Sequence, residues 1–481
     1  MSRSIFSKKI LAGGVLAASL ALAGCGSDSD GEALLRVVHA SKDAPPVNIR
    51  VDRDTVVREL DYAHSSGFVD ADSGIVDIVV EAIIPGGNAD VITVSDISLE
   101  NNGRYSVMAV GDTAAIEALL VTETAANPGA GEVALAVVHA STMAPAVDVY
   151  ITAPGATLNG TAPSFTVDFK GQIDVGAVPA GTYQIRIALA GEADPDANAV
   201  YDSGAVDLSP FAGEKLLVAA ISSVTDTEST ASPVKLLVAT DSAQVELLDT
   251  ETQFGARVLH LSPDAGTAAA GPVEVFATSA ALPGSPVELI PSFVYEDIVP
   301  AGGASYVELP PGDYVFNVAP DGAGIPGVYT SPSLPLMMGH EYTVIAAGLV
   351  TGTPAFDLLA TVDENRSVVT QASVKIVHGS PAAGLVDVYV TPENTVTTAD
   401  ILAGNGGMPL LDDFAFGDIT PYVALAPGKY DIRVIAAGPV AAIDIAGFEV
   451  TAGLVATVIA KETDAAVGGA PDPFGVVVLT N

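Results

Sequence analysis

Cysteine is almost absent from this chain of 481 residues: Cys25 is the single one, so no disulfide can form within the chain. Cations are scarce as well, with 19 Lys and Arg against 58 Asp and Glu and a formal net charge of -39. A field of that sign repels nucleic acid and anionic membrane surfaces, because phosphate binding needs a basic patch. The acidity suits a solubilising surface, and oxygen ligands are abundant enough for calcium. The 6 histidines are scattered, which argues against a zinc or copper site. Beyond the first 25 residues no apolar run approaches the roughly 18 residues that a membrane span needs. Helical periodicity is hard to find, and a phosphate-cradling glycine loop, a zinc-protease motif and a nucleophile elbow are all missing.

What is present is a phrase that returns four times: RVVHASKDAPPVNIRV from Arg36, AVVHASTMAPAVDVYI from Ala136, RVLHLSPDAGTAAAGPVEVF from Arg257 and KIVHGSPAAGLVDVYV from Lys375. Its histidines, His39, His139, His260 and His378, are spaced by 100, 121 and 118 residues. Solenoid repeats are shorter, about 20 to 50 residues, because each unit needs its neighbour to complete a core. Units of this length can bury their own core, so the spacing predicts four copies of one independently folding domain.

The start of the chain reads as an export signal. Arg3, Lys8 and Lys9 precede a short apolar stretch, Ile10 to Ala23, that ends in Leu22, Ala23, Gly24 and Cys25. That ending has the form of a bacterial lipobox, in which a peptidase cuts before a cysteine whose thiol carries diacylglycerol. The expectation is a signal peptide at 1–24, lipidation at Cys25 and a tether at 25–32, with the lipid as the membrane anchor. Gly26 rather than aspartate after the cysteine points to the outer membrane, facing the periplasm or the exterior.

Within each copy, runs of Val, Ile, Leu, Tyr and Thr are broken by Gly, Pro, Asp and Asn, the pattern of short strands and turns. In the fourth copy seven strands are expected, near 374–378, 385–390, 422–425, 430–436, 445–450, 456–460 and 476–479. The fold class is therefore all-β, four tandem immunoglobulin-like antiparallel β-sandwich domains. Shared strands and turns set their limits at 33–124, 133–242, 254–363 and 372–481. The joints are short, at 125–132, 243–253 and 364–371. Domains of this size are roughly 35 Å across, so four in line would make an elongated stalk on the order of 140 Å long.

The phrase holds one tempting constellation: His139, Ser141 and Asp148; His260, Ser262 and Glu274; His378, Ser380 and Asp387; and His39, Ser41 and Asn48. His and Ser two apart on a strand share a face, and the next strand could bring the acid alongside as in a nucleophile, base and orienter set. The acid is an amide in one copy and displaced by five residues in another, which fits structural pairing better than chemistry. Asp70, Asp72 and Glu81 superficially resemble a calcium loop, although alignment with the fourth copy makes the segment an ordinary turn and strand. Tyr183, Tyr314 and Tyr430 follow the turns PAGTY, PPGDY and APGKY and are expected to pack half-buried at strand starts.

VVHAS, DAPPV, VDVYV and PGKYDIRV together resemble the bacterial family called domain of unknown function 4397, once per copy. The resemblance implies an exported or surface-associated protein and supplies no catalytic residues. The first copy departs from it by lacking the Pro, Gly and Tyr turn, and the third by inserting residues 266–271. The expected function is a noncatalytic, lipid-anchored envelope protein acting as spacer and interaction module for an unknown protein or glycan partner. The alternatives are a calcium-assisted adhesin for glycan or matrix and a hydrolase built on the His and Ser pairs.

Overall fold

The computed structural model describes residues 31–123, 126–224, 232–265, 272–436, 440–462 and 474–481. Cys25, the signal at 1–24, most of the tether and the insertion at 266–271 lie outside the described residues. No helix among the described residues is long and apolar enough to cross a membrane.

The first block of the chain forms eight strands: β1 (Glu32–His39), β2 (Val47–Val51), β3 (Asp54–Leu60), β4 (Val69–Asp72), β5 (Gly74–Ala82), β6 (Ala89–Leu99), β7 (Arg104–Val110) and β8 (Glu117–Glu123). They make two four-stranded sheets, ordered β4-β1-β7-β8 and β3-β2-β5-β6. The second sheet alternates as a half-buried strand should: in β2, Val47, Ile49 and Val51 face the core while Asn48 and Arg50 do not. Together the sheets enclose one core in which Leu35, Val37, Ile49, Ile78, Tyr105 and Val107 are all buried.

The same two sheet orders recur in each of the three later blocks, so the all-β sandwich architecture is repeated along the chain. One pairing differs from the wholly antiparallel arrangement expected. β1 runs parallel to β7, from Leu34 opposite Arg104 to His39 opposite Ala109. The equivalent parallel pairs are Glu132–His139 with Lys215–Ser222, Phe254–Leu261 with Glu341–Ala347, and Ala372–His378 with Val455–Glu462. A parallel neighbour cannot be joined by a hairpin, so every sandwich closes only when its opening strand meets a strand from near its end. The fourth block also holds a strand that the sequence did not suggest, Leu411–Phe414, and the stretch read as a joint at 243–253 carries Gln244–Leu247, a fifth strand on the second block's mixed sheet.

The sandwiches are not beads in a line. All seven residues of β7 are buried, as are all seven of Glu341–Ala347, so these strands bury both faces. The inner face serves the sandwich's own core. The outer face of the first mixed sheet, with Val38, Met108, Val110 and Val121, packs against Val138, Leu217, Ala219, Ile221 and Leu237 of the second. The third and fourth sandwiches pair likewise through Leu259, Leu261 and Ile345 against Val377, Ile459 and Leu479. The two interfaces share a detail: the Tyr62 hydroxyl donates to the Ser222 carbonyl across one, and Tyr295 to the Glu462 carbonyl, at 2.7 Å, across the other.

The elongated stalk is overturned by one further contact. Arg366, between the third and fourth sandwiches, donates to the Ala44 carbonyl at 2.6 Å and pairs with Asp61, both in the first sandwich. Val369 N–H donates to the Asp43 carbonyl at 3.1 Å alongside. The chain therefore folds back on itself as two face-to-face pairs. Near-continuous apolar strands such as LLVAAI and TVIAA were the sequence signal for this, because a strand buried on one side alone would alternate.

Candidate functional site

The recurring phrase places its histidine at the end of the opening strand, just before a tight turn. His39, His139, His260 and His378 are 0 to 1% exposed. In three copies Nε2 donates to a carbonyl six residues ahead: Pro45 at 3.0 Å, Pro145 at 3.0 Å and Gly384 at 2.9 Å. Each bond pins the turn that leads into the second strand. The histidine backbone is held too, since its carbonyl accepts from Ala63, Lys170, Glu296 and Gly417 in the four copies. Those four residues all adopt the left-handed conformation, with φ of 60, 68, 73 and 83°. Burial depresses His39 and His260 to about 4 and lowers His378 as well, which leaves those three rings neutral.

The serines turn away from those rings. Where Ser and His bond at all, the serine backbone N–H donates to Nδ1, at 3.4 Å for Ser141 and His139 and 3.3 Å for Ser262 and His260. The hydroxyls go elsewhere: Ser41 to Asp43 and Ser262 to Asp264, each at 3.4 Å, Ser141 to the Ser222 hydroxyl at 3.0 Å, and Ser380 to Glu462 at 3.0 Å. Asp43 and Asp264 in turn accept from Thr113 and Thr351, so they tie the phrase to the loop after the penultimate strand.

The acids of the proposed triads are not brought to the histidines. Asp148 accepts from Gly191 N–H at 2.9 Å, Glu274 from Gly322 N–H at 2.7 Å and Asp387 from Asp413 N–H at 3.0 Å, while Asn48 donates to Glu81 at 2.8 Å. They brace neighbouring strands and loops. A base without its nucleophile's hydroxyl and without an orienting acid lacks the geometry for acyl transfer.

The calcium loop does not form. Asp70 and Asp72 lie on β4 in one sheet and Glu81 on β5 in the facing sheet. Glu81 is held by Asn48 and Asn88, whose amides lower its affinity for a proton. Among the described residues no group of three or more His, Cys, Asp or Glu could hold a metal ion. The tyrosines Tyr183, Tyr314 and Tyr430 each donate to the carbonyl four residues back, at 2.8, 2.6 and 2.9 Å, locking the turn before their strand. This has the form of the tyrosine corner of immunoglobulin-like sandwiches.

A charge centre that sequence reasoning missed sits at each sandwich interface. The residue opening the phrase is Arg36, Arg257 or Lys375 in three copies, and all three side chains are buried. Arg36 donates to Glu123 at 2.5 Å, to Ser106 at 2.9 Å and, across the interface, to the Thr240 carbonyl at 2.7 Å. Arg257 repeats the carboxylate and hydroxyl bonds, with Asp363 at 3.0 Å and Thr343 at 2.7 Å, while its third bond goes to the Gly303 carbonyl of its own sandwich at 2.7 Å. Lys375 comes from the fourth sandwich to the same Asp363, at 3.5 Å. An aromatic ring covers each cation, Phe68 at 4.6 Å, Tyr306 at 4.9 Å and Tyr422 at 4.3 Å. Burial lowers the Arg36 and Lys375 pKa values while Glu123 and Asp363 pull them back up. The signal was present in the phrase, a cation inside an otherwise apolar strand.

Where the first, second and third sandwiches meet the segment 364–366 lies a polar cleft of about 240 Å³, open to solvent. Asp61, Tyr62, Lys235, Glu246, Glu341 and Arg366 are among its walls.

Comparison with solved structures finds distant likenesses. A candidate cell adhesion protein from Bacteroides ovatus ATCC 8483 is 12% identical, with 49% of this chain and 97% of that one covered and a TM-score of 0.18. The Bacillus anthracis TIE protein is 12% identical over 91% of this chain and 76% of that one, with a TM-score of 0.15. A candidate cell adhesion protein from Bacteroides fragilis NCTC 9343 is 10% identical over 47% and 97%, with a TM-score of 0.12. Likeness at this level transfers neither fold nor function. No curated protein matches the chain. The family model described as Domain of unknown function (DUF4397) matches residues 33–150 and 256–389, each segment running through one sandwich into the opening strands of its partner, and over just more than half its length the chain thus belongs to that family.

Proposed function

We propose that the protein is a noncatalytic envelope protein, exported and lipid-anchored through Cys25, whose sandwiches at 33–124, 133–242, 254–363 and 372–481 serve as spacer and interaction module. The observation that carries the noncatalytic part is the engagement of the phrase's polar groups in holding turns: three of four histidine Nε2 atoms bond a carbonyl six residues ahead, and the serine hydroxyls bond groups other than the ring. The acidic surface disfavours nucleic acid and anionic lipid as partners, leaving a protein or glycan. Face-to-face pairing makes the spacer shorter and stiffer than four beads in line, because neighbouring sandwiches cannot swivel without exposing apolar surface.

Two measurements test this reading. Metabolic labelling with a clickable fatty acid should mark the wild type and fail in Cys25→Ser, which should leave the membrane fraction; a Cys25→Ser protein that stays membrane-bound overturns the lipid anchor. A fluorophosphonate probe should leave the protein unlabelled. Label on Ser141, Ser262 or Ser380 would overturn the noncatalytic assignment.

A further inference from the structure

The interior of the third sandwich is less completely filled than those of the second and fourth. Its buried residues divide into two clusters, one around Phe254, Tyr314 and Tyr342 and the other around Val273, Ile290 and Phe293. A cavity of about 100 Å³ is lined from both, by Val258, Val275, Phe316, Val344, Phe356 and His260 among others. The comparable cavities in the second and fourth sandwiches measure about 40 and 60 Å³. An apolar void of this kind stays dry, and its wall atoms forgo dispersion contacts that a fitting guest would restore.

His260 and Tyr342 bring the polar atoms to an otherwise aliphatic and aromatic lining. The Tyr342 hydroxyl is engaged by Met337 N–H at 3.1 Å. His260 is 0% exposed, and its Nε2 has no hydrogen-bond partner among the described residues. The other three histidines stand 8 residues before the next strand, at Val47, Val147 and Val386, whereas His260 stands 13 before Val273. Nδ1 accepts the Ser262 N–H at 3.3 Å, which puts the proton of a neutral ring on Nε2. Burial keeps that ring neutral, at about 4. Among the described residues the third sandwich thus carries a buried donor without a mate on the wall of an apolar cavity, an arrangement that costs free energy until an acceptor arrives.

We propose that the third sandwich binds, between its sheets, a small apolar molecule with one hydrogen-bond acceptor, a short ketone or ester, and that His260 Nε2–H donates to that acceptor. Size sets the class: a cavity of about 150 Å³ takes the six carbons of benzene, so this one suits a guest of roughly four heavy atoms. Acetone and isobutene are matched probes that differ by the acceptor.

The full chain should bind acetone saturably, one per chain by titration calorimetry, about tenfold more tightly than isobutene. His260→Leu should remove that preference, and His378→Leu should leave it intact. Ala346→Leu, or Val275→Leu if the first unfolds by circular dichroism, should fill the cavity and abolish binding of both. Absence of saturable binding, equal affinity for the two probes, or binding that survives the cavity-filling variants would each overturn the proposal.

Discussion

Arg257 Nη2 lies 3.0 Å from Asp363 Oδ2, and neither side chain is exposed at all. Asp363 also accepts from Thr343 and from the Tyr306 hydroxyl at 2.9 Å, and it meets Lys375 from the neighbouring sandwich. A carboxylate facing two cations at an otherwise apolar interface fixes which groups must meet when the third and fourth sandwiches dock. Well-packed apolar residues could replace such a cluster, but removing one partner alone leaves charge buried without compensation.

Asp363→Ala should therefore destabilise the third and fourth sandwiches by about 3–5 kcal/mol, read as a fall in the guanidinium midpoint. The triple variant Arg257→Met, Lys375→Met and Asp363→Leu should recover most of the loss. A triple variant no better than the single one would mean that the pair, and not the uncompensated charge, sets the cost.

Leu217 is 1% exposed and belongs to the interface between the first two sandwiches. Leu217→Ala should cost about 2–5 kcal/mol. Hydrogen exchange should rise in the first sandwich as well as the second and stay unchanged in the third and fourth. Independent beads would confine the rise to the second sandwich.

Burial lowers His39 and His260 from 6.5 to about 4, so the unfolded chain takes up protons first as the pH falls. Their contribution to stability is complete above about pH 6.5 and is lost as the pH drops toward 4, with a slope of up to about 1.4 kcal/mol per pH unit for each ring. His39→Gln, which can still donate to the Pro45 carbonyl, should flatten the profile of chemical-denaturation stability across that window.

Tyr430→Phe deletes the hydroxyl that donates to Ala426 and should cost about 0.5–1.5 kcal/mol. The first sandwich manages without this bond, having Val76 where the others have tyrosine. Tyr314→Phe should cost more than Tyr183→Phe, since Tyr314 is fully buried and would leave the Pro310 carbonyl with less access to water.

The Arg366 side chain is 16% exposed and that of Asp61 46%, so their pair should contribute less than about 1 kcal/mol. Its weight lies in geometry. Arg366→Ala should leave the melting temperature nearly unchanged yet increase the radius of gyration measured by small-angle scattering, as the contact between the first sandwich and the later pair loosens. An unchanged radius would show that the backbone bond from Val369 and the surrounding packing suffice.

Much of the fold could be read from residue order. The four phrases, the alternation of Val47, Ile49 and Val51, and the turns before Tyr183, Tyr314 and Tyr430 are local patterns, set by side-chain direction along a strand and by what a tight turn tolerates. The mismatch of the acids among Asn48, Asp148, Glu274 and Asp387 likewise argues against a triad from residue identity alone. Pairing of the sandwiches was not legible in the same way. The bond from Arg36 to the Thr240 carbonyl joins residues 204 apart, and that from Arg366 to Asp61 joins residues 305 apart. A strand that is apolar on both sides announces that its outer face will be covered, but not by what. The partner is settled where shape and charge match across the chain, as Met108 does with Leu237's cluster and Lys375 with Asp363, and such matching exists only once the sheets have formed.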